Sequence, residues 1–363
     1  MGKQFIAMVE HDARDTVTGS EVKHFIPIMG ALQPTFTPSD EPREEFRGQD
    51  SALGDLTVVR RESQWTWSLE LAAYPIEGVG ILLKHVLGKA GTRAVYDTSA
   101  YKGIIYPDAM PFGESMELGD KALGFYVNTD EGGTTKSRLY FGARVKSVAF
   151  QFEGTDDVKL TFEVMGPGEY IDAEASETAG ATFTDVSPFA SKDTIMYVGA
   201  GISRTGTAPG FTDIDPTGMD QFIPDSMTIT ITNGLDDKVV MNGVQGPSKT
   251  HRASKFKVEI SSPMDYEDPA SGFSSADEYK LIFAGTVESS LALVLDNGEL
   301  AGAAENYSWT IDLPNLSLNP GTPTRTTDGT QPSVDLAYVS LMSDTTEYPV
   351  AIQTIDKASD YPA

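Results

Sequence analysis

The sequence predicts a mainly β fold of antiparallel sheets. Three observations carry this. Short runs alternate apolar and polar residues, only two stretches have helical periodicity, and one order of elements occurs twice. Taken in order, Trp65, Trp67, Leu69 and Leu71 share one face of a strand, with Thr66, Ser68 and Glu70 on the other. Val158, Leu160, Phe162 and Val164 alternate in the same way, as do Met227, Ile229 and Ile231, and Phe256, Val258 and Ile260. Leu291–Leu293–Leu295, Tyr307–Trp309–Ile311–Leu313 and Val334–Leu336–Tyr338 complete the set. One dry and one wet face is the pattern of antiparallel sheets rather than of a parallel sheet buried on both sides. Gly, Pro, Asn and Asp clusters between the runs supply turns.

The first helix is expected over Ile76–Leu87, where Ile76, Val79, Gly80, Leu83, Val86 and Leu87 recur on one face and Gly88 stands at the C-terminal cap position. The second is expected over Ala276–Ala284, with Ser275 and Glu278 as a capping box and Gly285 closing it. Each half then reads strand, strand, helix, strand, strand, strand. The first half runs through Leu56–Arg60, Trp65–Ala72, the helix, Leu123–Asn128, Val145–Glu153 and Val158–Met165. The second runs through Met227–Thr232, Phe256–Ile260, the helix, Leu291–Leu295, Tyr307–Leu313 and Val334–Leu341. The chain therefore divides into an N-terminal arm (1–50), a first domain (51–175), a linker or long loop (176–222), a second domain (223–342) and a C-terminal arm (343–363). Two tandem antiparallel sandwich or barrel-like domains, each with one short flanking helix, are the expected architecture. A length of 363 residues agrees with two domains at roughly 100–200 residues each.

Charge and composition narrow the function. With 53 acidic and 27 basic residues the net charge is −26, which argues against a classical nucleic-acid binder and against docking on anionic lipid. The chain has no cysteine, which excludes disulfide scaffolds, cysteine nucleophiles and thiolate metal sites. The most apolar stretch, 71–87, is broken by Pro75, Glu77, Lys84 and His85, and the N-terminus lacks the apolar core of a secretory signal, so neither a membrane span nor export is expected. His11, His24, His85 and His251 are far apart and match no metal-ligand spacing. Gly113-Glu114-Ser115-Met116-Glu117 misses the last glycine of a nucleophile elbow. Asp213-Ile214-Asp215-Pro216-Thr217-Gly218 begins like a calcium loop, but its twelfth position is Pro224 where a bidentate carboxylate is needed, so it reads as an acidic turn. Asp156-Asp157 and Asp236-Asp237 read as solvated hairpin turns, and Trp65 with Trp67 as one packed face. The residues by themselves thus describe an acidic, duplicated β protein with no enzymatic site and no cofactor.

Five stretches in order add a resemblance. Phe25-Ile26-Pro27-Ile28-Met29-Gly30 precedes the acidic run Pro38–Glu45. Trp67–Leu71 leads through Pro75 to Gly78–Leu83 and Leu87-Gly88. Tyr140–Val148 is followed by Asp157–Gly166, and Tyr307–Pro314 stands late in the chain. Together these resemble the tail tube (major tail) proteins of long-tailed, non-contractile bacteriophages. The resemblance implies β-sandwich tube domains, six to a ring, whose inner strands close one barrel around a channel. It implies a virion tail protein, made in the host cytoplasm, that stacks into a tube. Its partners would be further copies of itself, the tape-measure protein and double-stranded DNA passing through without specific binding, and tail-tip and tail-terminator proteins. A chain with two tube domains would build its pseudo-sixfold ring as a homotrimer. If the repeat were only apparent, one tube domain with an added surface domain would form a hexamer.

An acidic wall repels phosphates over about a Debye length of 8–10 Å, so DNA slides without sticking. Glu70, Glu163, Glu259 and Asp335, on polar strand faces, are the candidate lumen acids. Phe25, Ile26, Ile28, Glu44, Glu45, Tyr101, Tyr106 and Arg252 are the candidates for ring stacking, on segments 24–49, 89–118 and 233–254. The tail after Met342 is a further stacking segment. The rival classes are a secreted or surface β-sandwich adhesin, which a glycan screen would reveal, and a carbohydrate-active enzyme, which would turn over polysaccharide.

Overall fold

A computed structural model describes residues 5–11, 21–42, 58–107, 121–131, 134–168, 170–173, 185–238, 249–269, 272–284, 289–318 and 332–361. The first part of the chain folds as β1 (Phe5–His11), β2 (His24–Pro27), β3 (Thr35–Pro42), β4 (Val58–Ala72), α1 (Glu77–Leu87), β5 (Gly88–Ala90), β6 (Ala94–Asp97), β7 (Ala100–Pro107), β8 (Ala122–Glu131), β9 (Thr134–Glu153), β10 (Lys159–Pro167) and β11 (Ile171–Ala173). The second folds as β12 (Thr194–Gly199), β13 (Ser203–Gly206), β14 (Phe211–Asp215), β15 (Asp220–Phe222), β16 (Ser226–Thr232), β17 (Leu235–Lys238), β18 (Lys249–Arg252), β19 (Lys257–Ser261), β20 (Pro263–Asp265), α2 (Ser275–Ala284), β21 (Ser289–Leu300), β22 (Asn306–Leu318), β23 (Ser333–Asp335), β24 (Tyr338–Ser340) and β25 (Ala351–Asp356). The fold is mainly β and antiparallel, as expected.

The strand pairings follow one order twice. In the first part β3 pairs β4, β4 pairs β10, β10 pairs β9, β9 pairs β8, β8 pairs β1 and β1 pairs β2. In the second, β16 pairs β19, β19 pairs β24, β24 pairs β22, β22 pairs β21, β21 pairs β12 and β12 pairs β15. The two sets meet in a seam where β16 lies against β9, from Ser226 opposite Glu153 to Thr232 opposite Ser147. A second junction is made by β25, which pairs β22 on one side and β7 on the other.

Apolar side chains from both parts form one core. Trp67 and Leu69 on β4, Phe150 on β9, Phe162 on β10, Ile229 on β16 and Trp309 on β22 all belong to it. Trp67 of β4 meets Phe125 of β8 edge-on with ring centroids 5.5 Å apart, which places two sheet layers face to face. Gly166 on β10 lies under the Trp65 indole, where a Cβ would stand 2.2 Å from the ring, so only glycine lets the two strands close there. Helix α1 is buried from Gly78 to Leu87 and ends at Gly88, whose φ of 121° suits glycine and whose N–H reaches the Lys84 carbonyl.

Several elements differ from expectation. The stretch read as two strands near 56–72 is a single strand, β4, with residues 56–57 outside the described residues. The presumed N-terminal arm supplies β1, β2 and β3, and Ile6-Ala7-Met8-Val9 is buried throughout because both faces of β1 are covered. The presumed linker carries β12 to β15. The presumed C-terminal arm supplies β25, buried along its whole length. The run Val334–Leu341 is split into β23 and β24, which pair different strands. The cap of α2 is Ser274, whose Oγ accepts the Asp277 N–H at 3.0 Å. Ser275 instead donates to the Asp265 carbonyl, and Glu278 reaches the Tyr338 hydroxyl.

Candidate assembly surfaces

Because β9 and β16 are joined, strands β4, β10, β9, β16, β19 and β24 form one unbroken sheet, and period-two alternation gives it one continuous open face, polar except at Ala149 and Val339. One row across it reads Ser68, Glu163, Ser147, Thr232 and Lys257. The next reads Glu70, Thr161, Ala149, Thr230, Glu259 and Val339. Each of these residues is exposed or half-buried, while the residues between them face the core. Three of the four candidate lumen acids, Glu70, Glu163 and Glu259, therefore share this face. Asp335, on β23, borders it by accepting from the Ser261 hydroxyl at 3.1 Å and the Ser262 N–H at 3.0 Å.

The face is less acidic than the overall charge suggests. Glu70 meets Lys159 at 2.8 Å and Glu259 meets Lys257 at 2.6 Å, while Glu163 accepts the Ser68 hydroxyl at 2.8 Å. Hydroxyl and amide side chains make up most of the rest.

The stacking candidates scatter. Phe25 is half-buried on β2, whereas Ile26 and Ile28 lie in the core, which removes them from any surface a neighbour could meet. Tyr101 is half-buried and Tyr106 buried on β7. Arg252 pairs Leu235 where β17 and β18 form a two-stranded ribbon, and Glu44 and Glu45 lie outside the described residues. The ribbon is joined to β16 through Asn233 and Gly234, whose φ is 73°, and to β19 through residues 253–256. Similarly, β3 and β4 stay paired beyond Gln64, the last β4 residue that β10 reaches, out to Pro42 opposite Val58.

Three buried polar clusters went unseen in the sequence, because each joins residues far apart in the chain. His85, 1% exposed on α1, donates Nε2–H to Glu10 Oε1 at 2.7 Å, and Lys84 Nζ reaches the same oxygen at 3.3 Å. Arg93 holds Asp356 at 2.8 Å, stacks 4.3 Å from the Tyr361 ring and donates to the Ala358 and Tyr101 carbonyls. Arg204 grips Asp312 with two bonds of 2.8 Å, and Tyr348 donates to the same carboxylate at 2.6 Å. That cluster pins the β13–β14 hairpin to β22.

The first cluster makes stability depend on pH. Burial pushes Glu10 up, but the His85 hydrogen bond and the positive charges of His85 and Lys84 outweigh it and hold the carboxyl at about 2, from 4.5. Burial also lowers His85 and His24 below their ordinary value. In each case the unfolded chain binds protons that the folded chain refuses, so stability is complete above about pH 6.5 and falls on acidification. The histidines take the first step, below 6.5. Glu10 takes the second, below 4.5, with about 3 kcal/mol at stake. Thermal unfolding between pH 8 and pH 2 checks this, and Glu10→Gln should flatten the lower step.

A family model described as phage tail tube protein matches residues 6–341. The chain belongs to this family. No curated protein matches it. Membership makes the chain a structural protein of the phage virion tail that self-assembles into a tube, and implies a non-enzymatic role. Among the described residues no helix is long and apolar enough to cross a membrane.

Proposed function

We propose that this chain is the tube subunit of a long-tailed, non-contractile phage, that it holds two copies of the tube domain, the first taking in β1 to β3 besides 51–175 and the second β12 to β15 besides 223–342, and that three chains close a pseudo-sixfold ring. The observation that carries the reading is the twice-used pairing order, joined through β9 and β16 into one sheet with a continuous, mostly polar open face. Three such sheets, one per chain and each spanning both domains, line a closed channel. Closure removes the open strand edges that would otherwise aggregate. The hydroxyl-rich, mildly acidic face lets DNA and the tape-measure protein pass without the counterion release that makes basic walls bind phosphate. Rings stack through the two ribbons, β3 with the outer part of β4, and β17 with β18. Tail-tip and tail-terminator proteins meet the ends of the stack.

Negative-stain electron microscopy of the purified chain across a concentration series, with and without tail tips, tests this. Hollow rings or tubes with three-fold symmetry and a channel wide enough for a hydrated duplex are expected. Rings of six chains would replace the duplicated-domain reading. Compact particles that ignore tail tips and bind a glycan would overturn the tube reading in favour of an adhesin.

A further inference from the structure

The open face carries a hollow that its own side chains leave unfilled. It measures about 220 Å³, against the ~10–15 Å³ that one water needs, and lies where β16, β19 and β24 run side by side. Thr228, Thr230, Glu259 and Ser261 give it a polar side, and Ala337 and Val339 an apolar one. Each of these residues is exposed or half-buried. The ladders set their places: Thr230 lies opposite Glu259 and Glu259 opposite Val339, with Thr228 opposite Ser261 one step along. Glu259 brings a carboxylate, and the three hydroxyls can accept hydrogen bonds. The Ser261 hydroxyl already donates to Asp335 Oδ1 at 3.1 Å, so what it offers a ligand is its lone pairs. Lys257 meets Glu259 at 2.6 Å, but both side chains are about half exposed, and such a pair resists a competing cation only weakly.

The first part of the chain fills the corresponding place with its own ammonium. Along β4 and β10, Ser68 faces Glu163 and Ala72 faces Lys159. Along β19 and β24, Glu259 faces Val339, and where β20 and β23 continue them, Pro263 faces Asp335. The spacing between the two contacts is the same on all these strands, so Glu70 matches Ser261 and Lys159 matches Asp335. Lys159 Nζ reaches Glu70 at 2.8 Å. In the second part a carboxylate stands in place of that lysine and a hydroxyl in place of Glu70. The site there keeps its acceptors and lacks the alkylammonium that Lys159 supplies in the first part.

We infer that this hollow is a binding site for a primary alkylammonium group, whose head meets Glu259 and the Thr230 and Ser261 hydroxyls while its stem covers Ala337 and Val339. An ammonium carries three donors and no acceptor, which suits a carboxylate ringed by hydroxyl oxygens. The apolar side favours it over a bare metal cation, which gains nothing from Ala337 and Val339 and must shed water to enter. The group can come from a free polyamine or from a lysine side chain of another protein. The inference does not rest on the tube reading, since it needs only that the face be open.

Methyl NMR of the full chain titrated with butylammonium chloride tests this. Saturable shifts are expected at the methyls of Thr228, Thr230, Ala337 and Val339. Ammonium chloride and butanol should each bind at least about 10-fold more weakly, because each supplies only half of the contact. Glu259→Gln should weaken butylammonium by about 10-fold. Ala337→Leu fills the hollow and leaves every charge in place, so it should abolish the shifts. Thr230→Leu fills it from the facing strand, should Ala337→Leu fail to fold. Asp215→Asn, on the β13–β14 hairpin, should leave the shifts unchanged. Spermidine and Nα-acetyl-lysine methylamide are the remaining probes, and the one whose binding falls more on Ala337→Leu names the source as a free polyamine or a protein side chain. Shifts that spread over the acidic surface without saturating, equal binding of potassium and butylammonium, or full binding by a folded hollow-filling variant would overturn the site and leave the tube reading standing.

Discussion

Arg93→Ala is expected to destabilise the chain by about 3–5 kcal/mol, the cost of leaving a buried charge without its partner. Asp356 is 1% exposed, and its other contacts are the Tyr361 hydroxyl and the Ala358 N–H. Burial already raises its carboxyl above the ordinary range, with Arg93 opposing the shift. Without Arg93 the carboxyl rises further. Its sign is opposite to that of Glu10: the folded state holds a proton that the unfolded state releases, so the penalty is full above the folded pKa and fades as pH falls toward 3.8. The deficit of the variant should therefore be largest near neutrality and narrow in acid. Urea unfolding should show a lower midpoint at unchanged slope. A double replacement, Arg93→Met with Asp356→Leu, should cost less than either single change, because no charge is then stranded. A double cost equal to the sum of the two single costs would show that the two side chains contribute independently, through packing alone.

That cluster also explains what the sequence hid. Ala351–Asp356 reads as neither an alternating strand nor an apolar run, because Gln353, Thr354 and Asp356 are polar and yet buried. Arg93 and the backbone of Ile214 satisfy them from far along the chain. By contrast, Trp65–Leu71 and Met227–Ile231 have one face in water, so their alternation is legible without any partner. The run Phe5–Val9 carried a usable signal, since a short continuous apolar stretch suits a strand covered on both sides. Strands β12 to β15 are rich in Gly, Ser, Thr and Asp and look like a loop; pairing with β21 holds β12 in place. The candidate face was legible in part. Alternation placed Glu70, Glu163 and Glu259 on polar strand faces, but only the β9–β16 seam puts them on the same one. The lysines that offset two of them come from the neighbouring strand for Glu70 and the same strand for Glu259.

Placing lysine on that face should separate assembly from passage of DNA. The variant Glu163→Lys, Gln151→Lys and Thr230→Lys adds two positive charges at the first site and one at each of the others. All three positions are exposed or half-buried, and exposed surface changes typically move stability within about 0.5 kcal/mol, so rings and tubes should still form. Passage should not survive unchanged. Each new contact with phosphate releases a counterion, and the gain compounds along a stack in which every chain carries the same charges. DNA ejection from particles built with the variant is expected to slow on the order of 10–100-fold at low salt and to recover as salt rises. The salt dependence is the deciding readout, because a blocked or misassembled channel would not reopen with ionic strength. The same number of lysines on the β13–β14 hairpin, at the exposed Thr205 and Thr212 and at Asp215, should leave ejection unchanged. If the face variant ejected DNA at the normal rate, the polar face of β4, β10, β9, β16, β19 and β24 would have to lie on the outside of the tube, and slowing by the hairpin variant alone would put the channel wall at β13 and β14 instead.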